Sequence, residues 1–291
     1  LARGFELSSN TILVQSVYDS YKSNPKQFVD RINSYGLNKP LGLPIKGEGI
    51  PVIPQPGTNR WSGVALPWMA FGYGLSVTPL QTLTLYNAVA NDGVMVKPIF
   101  VSEIKEWNKT IKKFDTQVIN PKICSQETLD KVHAVLENVV KKGTGSKLYS
   151  KDFSMAGKTG TAQVNYKDKS KLYYASSFVG YFPADEPKYS CIVVVHKPNV
   201  AAGYYGADVA GPVFKRIAQK IFTDSPSTNH VKNIHAKVVS QEKNYAEYYK
   251  KVEKESNVVP NVKGMEGMDA VALLENLGLK VKVIGVGRVK K

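Results

Sequence analysis

The sequence predicts an α+β fold in which an antiparallel sheet is covered by helices and accompanied by a helical subdomain. Residues 153–164, 173–182 and 189–197 are rich in β-branched and aromatic side chains, and turn-forming residues join the last two. They are expected to form three consecutive antiparallel strands. Residues 207–222 then carry apolar side chains at helical spacing. A helix that follows such a sheet is expected to pack against one of its faces.

Further helices are predicted ahead of the sheet. They span residues 10–21, 25–35, 78–91 and 125–142. Thr78 and Ser125 are side chains of the type that caps a helix N-terminus. The apolar side of the third helix is expected to consist of Leu80, Leu83, Leu85 and Val89. The face that the helix after the sheet buries is expected to consist of Val209, Val213, Ile217 and Ile221.

Two further segments are expected to lie outside the main core. Residues 39–59 contain many prolines and glycines and show little periodicity, which predicts a long surface loop. Residues 100–104 and 110–114 alternate in short pieces, which predicts a peripheral strand pair.

Composition excludes several classes of protein. The 291 residues carry a formal charge of +15, but the lysines are scattered and no arginine-rich or aromatic RNA-binding pattern accompanies them, so no nucleic-acid partner is predicted. The two cysteines are too few for a disulfide framework, and Cys191 lies in an apolar run typical of a buried free thiol. No metal-ligand spacing is present, so neither a metal nor a cofactor is predicted.

The segment richest in chemistry is the first predicted strand, which contains Lys158, Thr159, Gly160 and Thr161. Because strand residues alternate between faces, Lys158 and Gly160 share one face, whereas Thr159 and Thr161 share the other. A lysine at a strand edge can bind a carboxylate, and a glycine lets a substrate backbone lie close to the strand. The alternative is an exposed edge strand with a solubilising lysine and two β-forming threonines.

A second element, Ser8-Ser9-Asn10, stands at the start of the chain. S-x-N followed far downstream by K-T-G is part of the signature of penicillin-binding proteins and serine β-lactamases. The sequence resembles the class B penicillin-binding transpeptidases over most of its length. Residues 72–81 are similar to their G-x-G-x-x-x-T-P-L-Q element, and residues 157–163 are similar to their G-K-T-G-T-A-Q strand. Residues 259–287 resemble the first half of a PASTA module.

The resemblance implies the penicillin-binding and β-lactamase-like transpeptidase fold and a role for each motif residue. Ser8 would relay a proton to the leaving group, and Asn10 would hold the substrate amide. Lys158 and Thr159 would contact the substrate carboxylate, beside Gly160 in the same strand. The backbone N–H of Thr161 would form half of the oxyanion hole. Ser8 could instead be a helix cap, which is the structural alternative at that position.

The family's nucleophile comes from an S-x-x-K turn that precedes S-x-N. Seven residues precede Ser8, and none is a serine. The pattern occurs at Ser23, Ser102 and Ser240, about as often as chance would place it and always after S-x-N. We therefore expect the nucleophile to lie on a segment outside this sequence. For the same reason, the lack of an anchor or signal pattern is interpreted as truncation.

Three regions are predicted along the chain. Residues 1–223 form the C-terminal portion of the transpeptidase domain, residues 224–257 form a linker that includes an exposed helix, and residues 258–291 form a partial α+β PASTA module. In the last region, residues 268–277 are expected to form a helix and residues 279–286 a strand. Val271, Leu274 and Leu277 are expected to lie on one face of this helix.

The leading functional hypothesis is a D,D-transpeptidase that cross-links peptidoglycan. The resemblance implies peptidoglycan stem peptides, a lipid-linked precursor, β-lactam antibiotics and cell-wall synthesis or division proteins as partners. It also implies a location at the extracytoplasmic face of the bacterial membrane, with an N-terminal anchor. The alternatives are a serine β-lactamase or penicillin-sensing receptor of the same fold, and a non-catalytic cell-wall-binding protein.

Overall fold

The computed structural model describes residues 1–165, 168, 170–224, 259–265, 267–285 and 287–290. These residues belong to two compact units, residues 1–225 and residues 226–291. The predicted linker, residues 224–257, and its predicted helix lie outside the described residues apart from Asp224. No helix of the described residues is both long and apolar enough to span a bilayer.

The first unit alternates helices and short strands before a longer sheet. Its helices are α1 (Ala2–Glu6), α2 (Asn10–Tyr21), α3 (Pro25–Ser34), α4 (Ala65–Ala70), α5 (Pro79–Ala90), α6 (Gln126–Lys142), α7 (Gly206–Val209) and α8 (Gly211–Asp224). Its strands are β1 (Met95–Val96), β2 (Glu103–Glu106), β3 (Lys109–Lys113), β4 (Val118–Asn120), β5 (Ala156–Val164), β6 (Tyr173–Phe182) and β7 (Tyr189–His196). The helices predicted at residues 10–21, 25–35, 78–91 and 125–142 are confirmed within one or two residues.

The longer sheet has the strand order β5-β6-β7, and both pairings are antiparallel. The first pairing runs in unbroken register from Ala156 opposite Tyr181 to Val164 opposite Tyr173. All three predicted strands are therefore confirmed. The antiparallel sheet and its covering helices confirm the predicted α+β class.

Helices cover both faces of this sheet. Ala156 and Tyr181 pack with apolar residues of α5 and α6, whereas Phe178 and Phe182 pack with Phe214 of α8 on the other face. Phe178 and Phe214 lie with ring centroids 4.7 Å apart, and both side chains are fully buried. The two cores together fix the plane of β5 and the direction of its side chains.

A third, smaller core holds the helical subdomain. Val29 of α3, Met69 of α4 and Ile53 of the connecting loop form its buried centre. The loop predicted over residues 39–59 is confirmed apart from an isolated antiparallel bridge between Val52 and Ser76. Helix α4 was not predicted, because its six residues are too few to show a period.

The apolar side predicted for α5 is only partly buried, because Val89 is buried and Leu85 packs against the core. Gln81, Thr84 and Ala88 are buried together with Val89, whereas Leu80, Leu83 and Leu85 are half-buried. Thr78 caps the helix, and its hydroxyl and Gln81 complete a capping box. The Gln81 amide also donates to the backbone oxygen of Lys39 at 2.8 Å. Because its hydrogen bonds are satisfied, a polar residue can occupy the buried face.

The prediction for the helix after the sheet also needs correction. The predicted helix is interrupted at Ala210, which separates α7 from α8. The buried apolar residues of this segment are Ala210, Phe214 and Ala218. The side chains of Val213 and Ile217 are 41% and 37% exposed, and Val209 is half-buried. Ile221 does pack against the core. Phe214 offers more apolar surface than either β-branched neighbour, so the helix turns that residue toward the sheet.

The predicted peripheral strand pair is confirmed as β2 and β3, which form an antiparallel hairpin of their own. Most of its side chains are exposed, and Trp107 at the turn is 96% exposed. Cys191 carries a free thiol that is half-buried against the sheet core rather than fully buried. Burial raises the pKa of this thiol.

The second unit contains one described helix, α9 (Gly267–Asn276), which confirms the helix predicted at residues 268–277. Among its described side chains, Ala270 and Leu273 are buried, Val271 and Leu274 are half-buried, and Leu277 beyond its end is exposed. Residues 279–284 form no strand, so that prediction is wrong for the described part of the segment. An isolated extended segment lacks the ladder hydrogen bonds that define a strand.

Candidate active site

Strand β5 lies at an edge of its sheet within the described residues, and Lys158 extends from this edge toward the corner between α1 and α2. The Lys158 ammonium donates a hydrogen bond to the hydroxyl of Ser8 and a second one to the Thr159 carbonyl at 3.1 Å. Residues that are 150 positions apart in the sequence therefore meet at one point. The S-x-N corner and the K-T-G strand form a single site.

The corner places Ser8 in an uncommon backbone conformation. Ser8 has a φ of +53°, in the left-handed region that side chains other than glycine rarely occupy. The cap of α2 is Ser9, whose hydroxyl accepts from the Ile12 N–H, so Ser8 is not the helix cap. This backbone turn directs the Ser8 side chain away from the helix end and toward Lys158. Strained residues of this kind are concentrated at functional sites.

The environment of Lys158 lowers the affinity of its side chain for a proton. Its ammonium lies 5.7 Å from the centre of the Phe5 ring, and the side chain is half-buried. Burial lowers the pKa of Lys158 from the usual 10.5 to about 8, because a cation loses solvation in that position. The alternative of a solvated, solubilising edge lysine does not fit this environment.

The hydroxyls of Thr159 and Thr161 lie on the other face of β5, each with a partner behind it. The Thr159 hydroxyl contacts the Thr144 hydroxyl at 2.9 Å. The Thr161 hydroxyl accepts from the Gly206 N–H at 2.9 Å. These partners fix both side chains, so the threonines do more than favour a strand.

The outer edge of β5 offers backbone groups to a ligand. Successive strand residues direct their N–H and C=O groups to opposite sides. The Gln163 N–H points away from β6, because it donates to the Tyr73 hydroxyl at 2.7 Å. The N–H groups of Thr161 and Thr159 share this direction. A bound peptide could therefore extend the sheet along this edge.

Gly160 also lies close to the neighbouring strand. A Cβ atom built there would lie 2.5 Å from the hydroxyl oxygen of Ser177 in the neighbouring strand. A side chain on residue 160 would therefore contact Ser177, its partner in β6. This contact is separate from the outer edge of β5. Asn10 begins α2 two residues after Ser8, and its side chain is exposed.

Sequence reasoning missed four residues that support the site: Glu6, Tyr73, Thr144 and Gly206. Thr144 stands between Gly143 and Gly145, directly after the helix predicted over residues 125–142. A polar residue between two glycines beside a motif strand was the available signal. Contacts made by Glu6 or Gly206 depend on the packing of distant segments, so no local pattern could have identified them.

The S-x-x-K matches that the structure describes do not resemble a catalytic serine–lysine pair. Ser23 and Ser102 are exposed. The lysine of the first match pairs with Asp30 at 2.6 Å, and that of the second pairs with Glu103 at 2.7 Å. A lysine held by a carboxylate on the surface is a poor base for a serine. Ser240 lies outside the described residues.

A K-T-G strand at the edge of an antiparallel sheet, whose lysine is hydrogen-bonded to the serine of S-x-N, is typical of the class that comprises penicillin-binding proteins and serine β-lactamases. Residues 1–219 match the family model described as the penicillin-binding protein transpeptidase domain. The chain belongs to this family.

Its relatives point to the same family. The chain is 32% identical over 270 residues to the stage V sporulation protein D of Bacillus subtilis, covering 89% of this chain and 38% of that protein. It is 32% identical over 191 residues to the peptidoglycan D,D-transpeptidase FtsI of Escherichia coli, covering 65% and 30%. The chain thus spans roughly a third of the length of these relatives.

Solved structures agree with the fold. Penicillin-binding protein 3 from Mycobacterium tuberculosis, complexed with aztreonam, matches with a TM-score of 0.63 and 27% identity. The match covers 77% of this chain and 51% of that structure. The predicted transpeptidase fold is confirmed.

Proposed function

We propose that residues 1–224 form the substrate-binding and proton-relay part of a serine-type peptidoglycan D,D-transpeptidase. The observation that carries the proposal is the contact between Lys158 and Ser8, beside the two threonine hydroxyls and the outer edge of β5. Family membership and the relative named peptidoglycan D,D-transpeptidase support it. A β-lactamase, a receptor or a non-catalytic protein has no comparable support among these relatives.

Binding of the stem peptide follows from the charges and donors at β5. The terminal carboxylate would be attracted by the Lys158 ammonium and would accept hydrogen bonds from the hydroxyls of Thr159 and Thr161. The peptide backbone would pair with the outer edge of the strand beside Gly160. Asn10, at the exposed start of α2, would hold the side of the substrate amide.

The relay role of Ser8 follows from the direction of its hydrogen bond. The Ser8 oxygen accepts a hydrogen bond from the Lys158 ammonium, so the proton of the Ser8 hydroxyl is available to another acceptor. When the acyl bond forms and the amide bond to the terminal D-alanine breaks, that acceptor would be the leaving amine. Ser8 would regain a proton from the lysine of the S-x-x-K segment, which takes one from the nucleophile.

The Thr161 N–H would stabilise the charge that develops on the attacked carbonyl. It points toward the outer side of β5, where a substrate carbonyl would lie. A fixed backbone donor needs no reorganisation during the reaction, which is why such donors lower the barrier.

The same reasoning extends to the partners. The aztreonam and ampicillin complexes of the M. tuberculosis protein support β-lactams as ligands of this site. The proposed partners also include peptidoglycan, its lipid-linked precursor and division proteins. The proposed location is the extracytoplasmic face of the bacterial membrane. The region after residue 257 would be the partial PASTA module.

A labelling experiment tests the proposal. We expect the 291-residue chain alone to remain unlabelled by a fluorescent penicillin, because oxyanion donors without a nucleophile form no acyl-enzyme. A version that carries an upstream S-x-x-K segment, or receives it as a second chain, should be labelled. Intact mass spectrometry and peptide mapping identify the modified residue.

Three outcomes would contradict the proposal. Failure of the extended protein to form any adduct would remove the assigned activity. An adduct on Ser23, Ser102 or Ser240 of the isolated chain would show that the nucleophile lies within this sequence. Rapid turnover of the penicillin by the extended protein would instead favour a β-lactamase.

A further inference from the structure

Thr144 lies directly behind the carboxylate-binding hydroxyl of the proposed site. It follows α6 and Gly143, and its hydroxyl oxygen is 2.9 Å from that of Thr159. It belongs to neither sequence motif. Its hydroxyl contacts that of Thr159, the residue of the K-T-G triplet that carries a hydroxyl.

The position of Thr144 is fixed by the same corner that carries Ser8. Its backbone N–H donates to the Glu6 carbonyl at 3.0 Å. A Cβ atom on Gly143 would lie 2.4 Å from that carbonyl oxygen, so the close approach requires a glycine at that point. Glu6 is itself buried and paired with Arg3 at 3.0 Å. Two separate contacts, Lys158 to Ser8 and Thr159 to Thr144, therefore join β5 to this corner.

The chemistry of two hydroxyls determines the direction of the proton between them. A carboxylate accepts hydrogen bonds but donates none, so a carboxylate bound at Thr159 must receive the Thr159 proton. The Thr159 oxygen then has no proton left for Thr144 and must accept the proton of Thr144. Thr161 is held in the same way, because the Gly206 N–H donates to its oxygen and leaves its own proton available.

We propose that Thr144 is a positioning residue that donates its hydroxyl proton to Thr159 and thereby directs the Thr159 proton at the substrate carboxylate. This inference rests on the proposed function, because it requires an anionic substrate at the K-T-G strand. It adds a residue outside both motifs to the determinants of specificity for a free carboxylate.

The test compares two substrates and three variants of the extended, label-competent protein. Thr144→Val removes the donor but keeps the shape, and Thr144→Ser restores the hydroxyl. Thr128→Val is the matched control, because its hydroxyl also contacts a partner hydroxyl at 2.9 Å, on Ser125 at the start of α6. Acylation is measured with a penicillin that has a free carboxylate and with the methyl ester of the same penicillin.

For the free acid, Thr144→Val should lower the second-order acylation rate about tenfold, because Thr159 is no longer held in the orientation that directs its proton at the carboxylate, and hydrogen bonds to charged groups are the stronger ones. The loss should raise the penicillin concentration for half-maximal acylation rather than lower the limiting rate. The rate for the ester should stay within about twofold of the parent, because the hydrogen bond from Thr159 to a neutral ester contributes less than the bond to a carboxylate. Thr144→Ser and Thr128→Val should behave like the parent.

Each result has a separate meaning. An equal loss for acid and ester would show that Thr144 only supports the fold, which overturns the inference. No loss for the acid would overturn it too. If the parent protein itself were not acylated by either compound, the proposed function would fail instead.

Discussion

At the scale of single residues, the site depends on a lysine whose surroundings disfavour its charge. Lys158 is half-buried, and burial lowers its pKa to about 8. A bound substrate carboxylate would raise the pKa of Lys158 again, because an opposite charge favours the ionised lysine. The free-energy cost of burying the ammonium in the free protein is therefore offset when an anionic ligand binds. Functional sites commonly lower the stability of the free protein in this way.

This relation predicts the behaviour of Lys158→Met. The neutral side chain should abolish carboxylate-dependent acylation and still fold at least as stably as the parent at pH 7. Below a pH of about 8 the folded parent carries the whole cost of the buried cation; as the pH rises toward 10.5, the folded state loses the proton first and the cost disappears. The stability gain of the variant should therefore shrink between these pH values.

Urea denaturation at pH 7, 9 and 10.5 measures the effect as a shift in the midpoint at constant slope. Lys131→Met is the control, because Lys131 is an exposed helix residue paired with Glu127, and its effect should not change in this way. A gain for Lys158→Met that grows with pH would contradict the explanation.

At the scale of elements, the orientation of α8 decides which of its apolar residues support the sheet. The sequence pattern favours Val213 and Ile217, but the structure buries Phe214 and Ala218 against β6 and β7. Spacing alone cannot distinguish these faces, since both repeat every four residues. The break at Ala210 sets where α8 begins and hence which face meets the sheet.

Truncations along α8 separate the two orientations. Phe214→Ala should destabilise the first unit by about 3–5 kcal/mol, the usual cost of removing a fully buried aromatic ring. Val213→Ala and Ile217→Ala should each cost less than about 1 kcal/mol, because their side chains remain partly in water. Thermal or urea unfolding of each variant gives the comparison. Similar losses at all three positions would mean that the helix lies in a different orientation.

At the scale of the molecule, the two units differ in how much of their apolar surface is covered. The first has three buried cores. Among the described residues of the second, Ala270 and Leu273 are the buried apolar side chains, whereas Val259, Val283 and Ile284 are 59% to 89% exposed. A unit with so little burial opens at low cost in free energy.

Limited proteolysis should therefore cut within residues 259–290 before it cuts within residues 1–224. Peptide mapping by mass spectrometry over a time course locates the first cleavages. The earliest internal fragments should come from the second unit, with the first unit still intact. Recovery of an uncut tail from samples whose first unit is already cleaved would refute the prediction.

The sequence by itself determined the three long strands, the main helices and the family, because each of these depends on local periodicity, capping residues or short motifs. It also identified Ser8 and Lys158, whose residue types are read directly from S-x-N and K-T-G. Only the tertiary structure decided that their side chains touch, that Ser9 rather than Ser8 caps α2, and that Thr144 lies behind Thr159. The reason is physical: a contact between residues 150 positions apart, and the pKa that burial gives to Lys158, arise only when separate elements pack together.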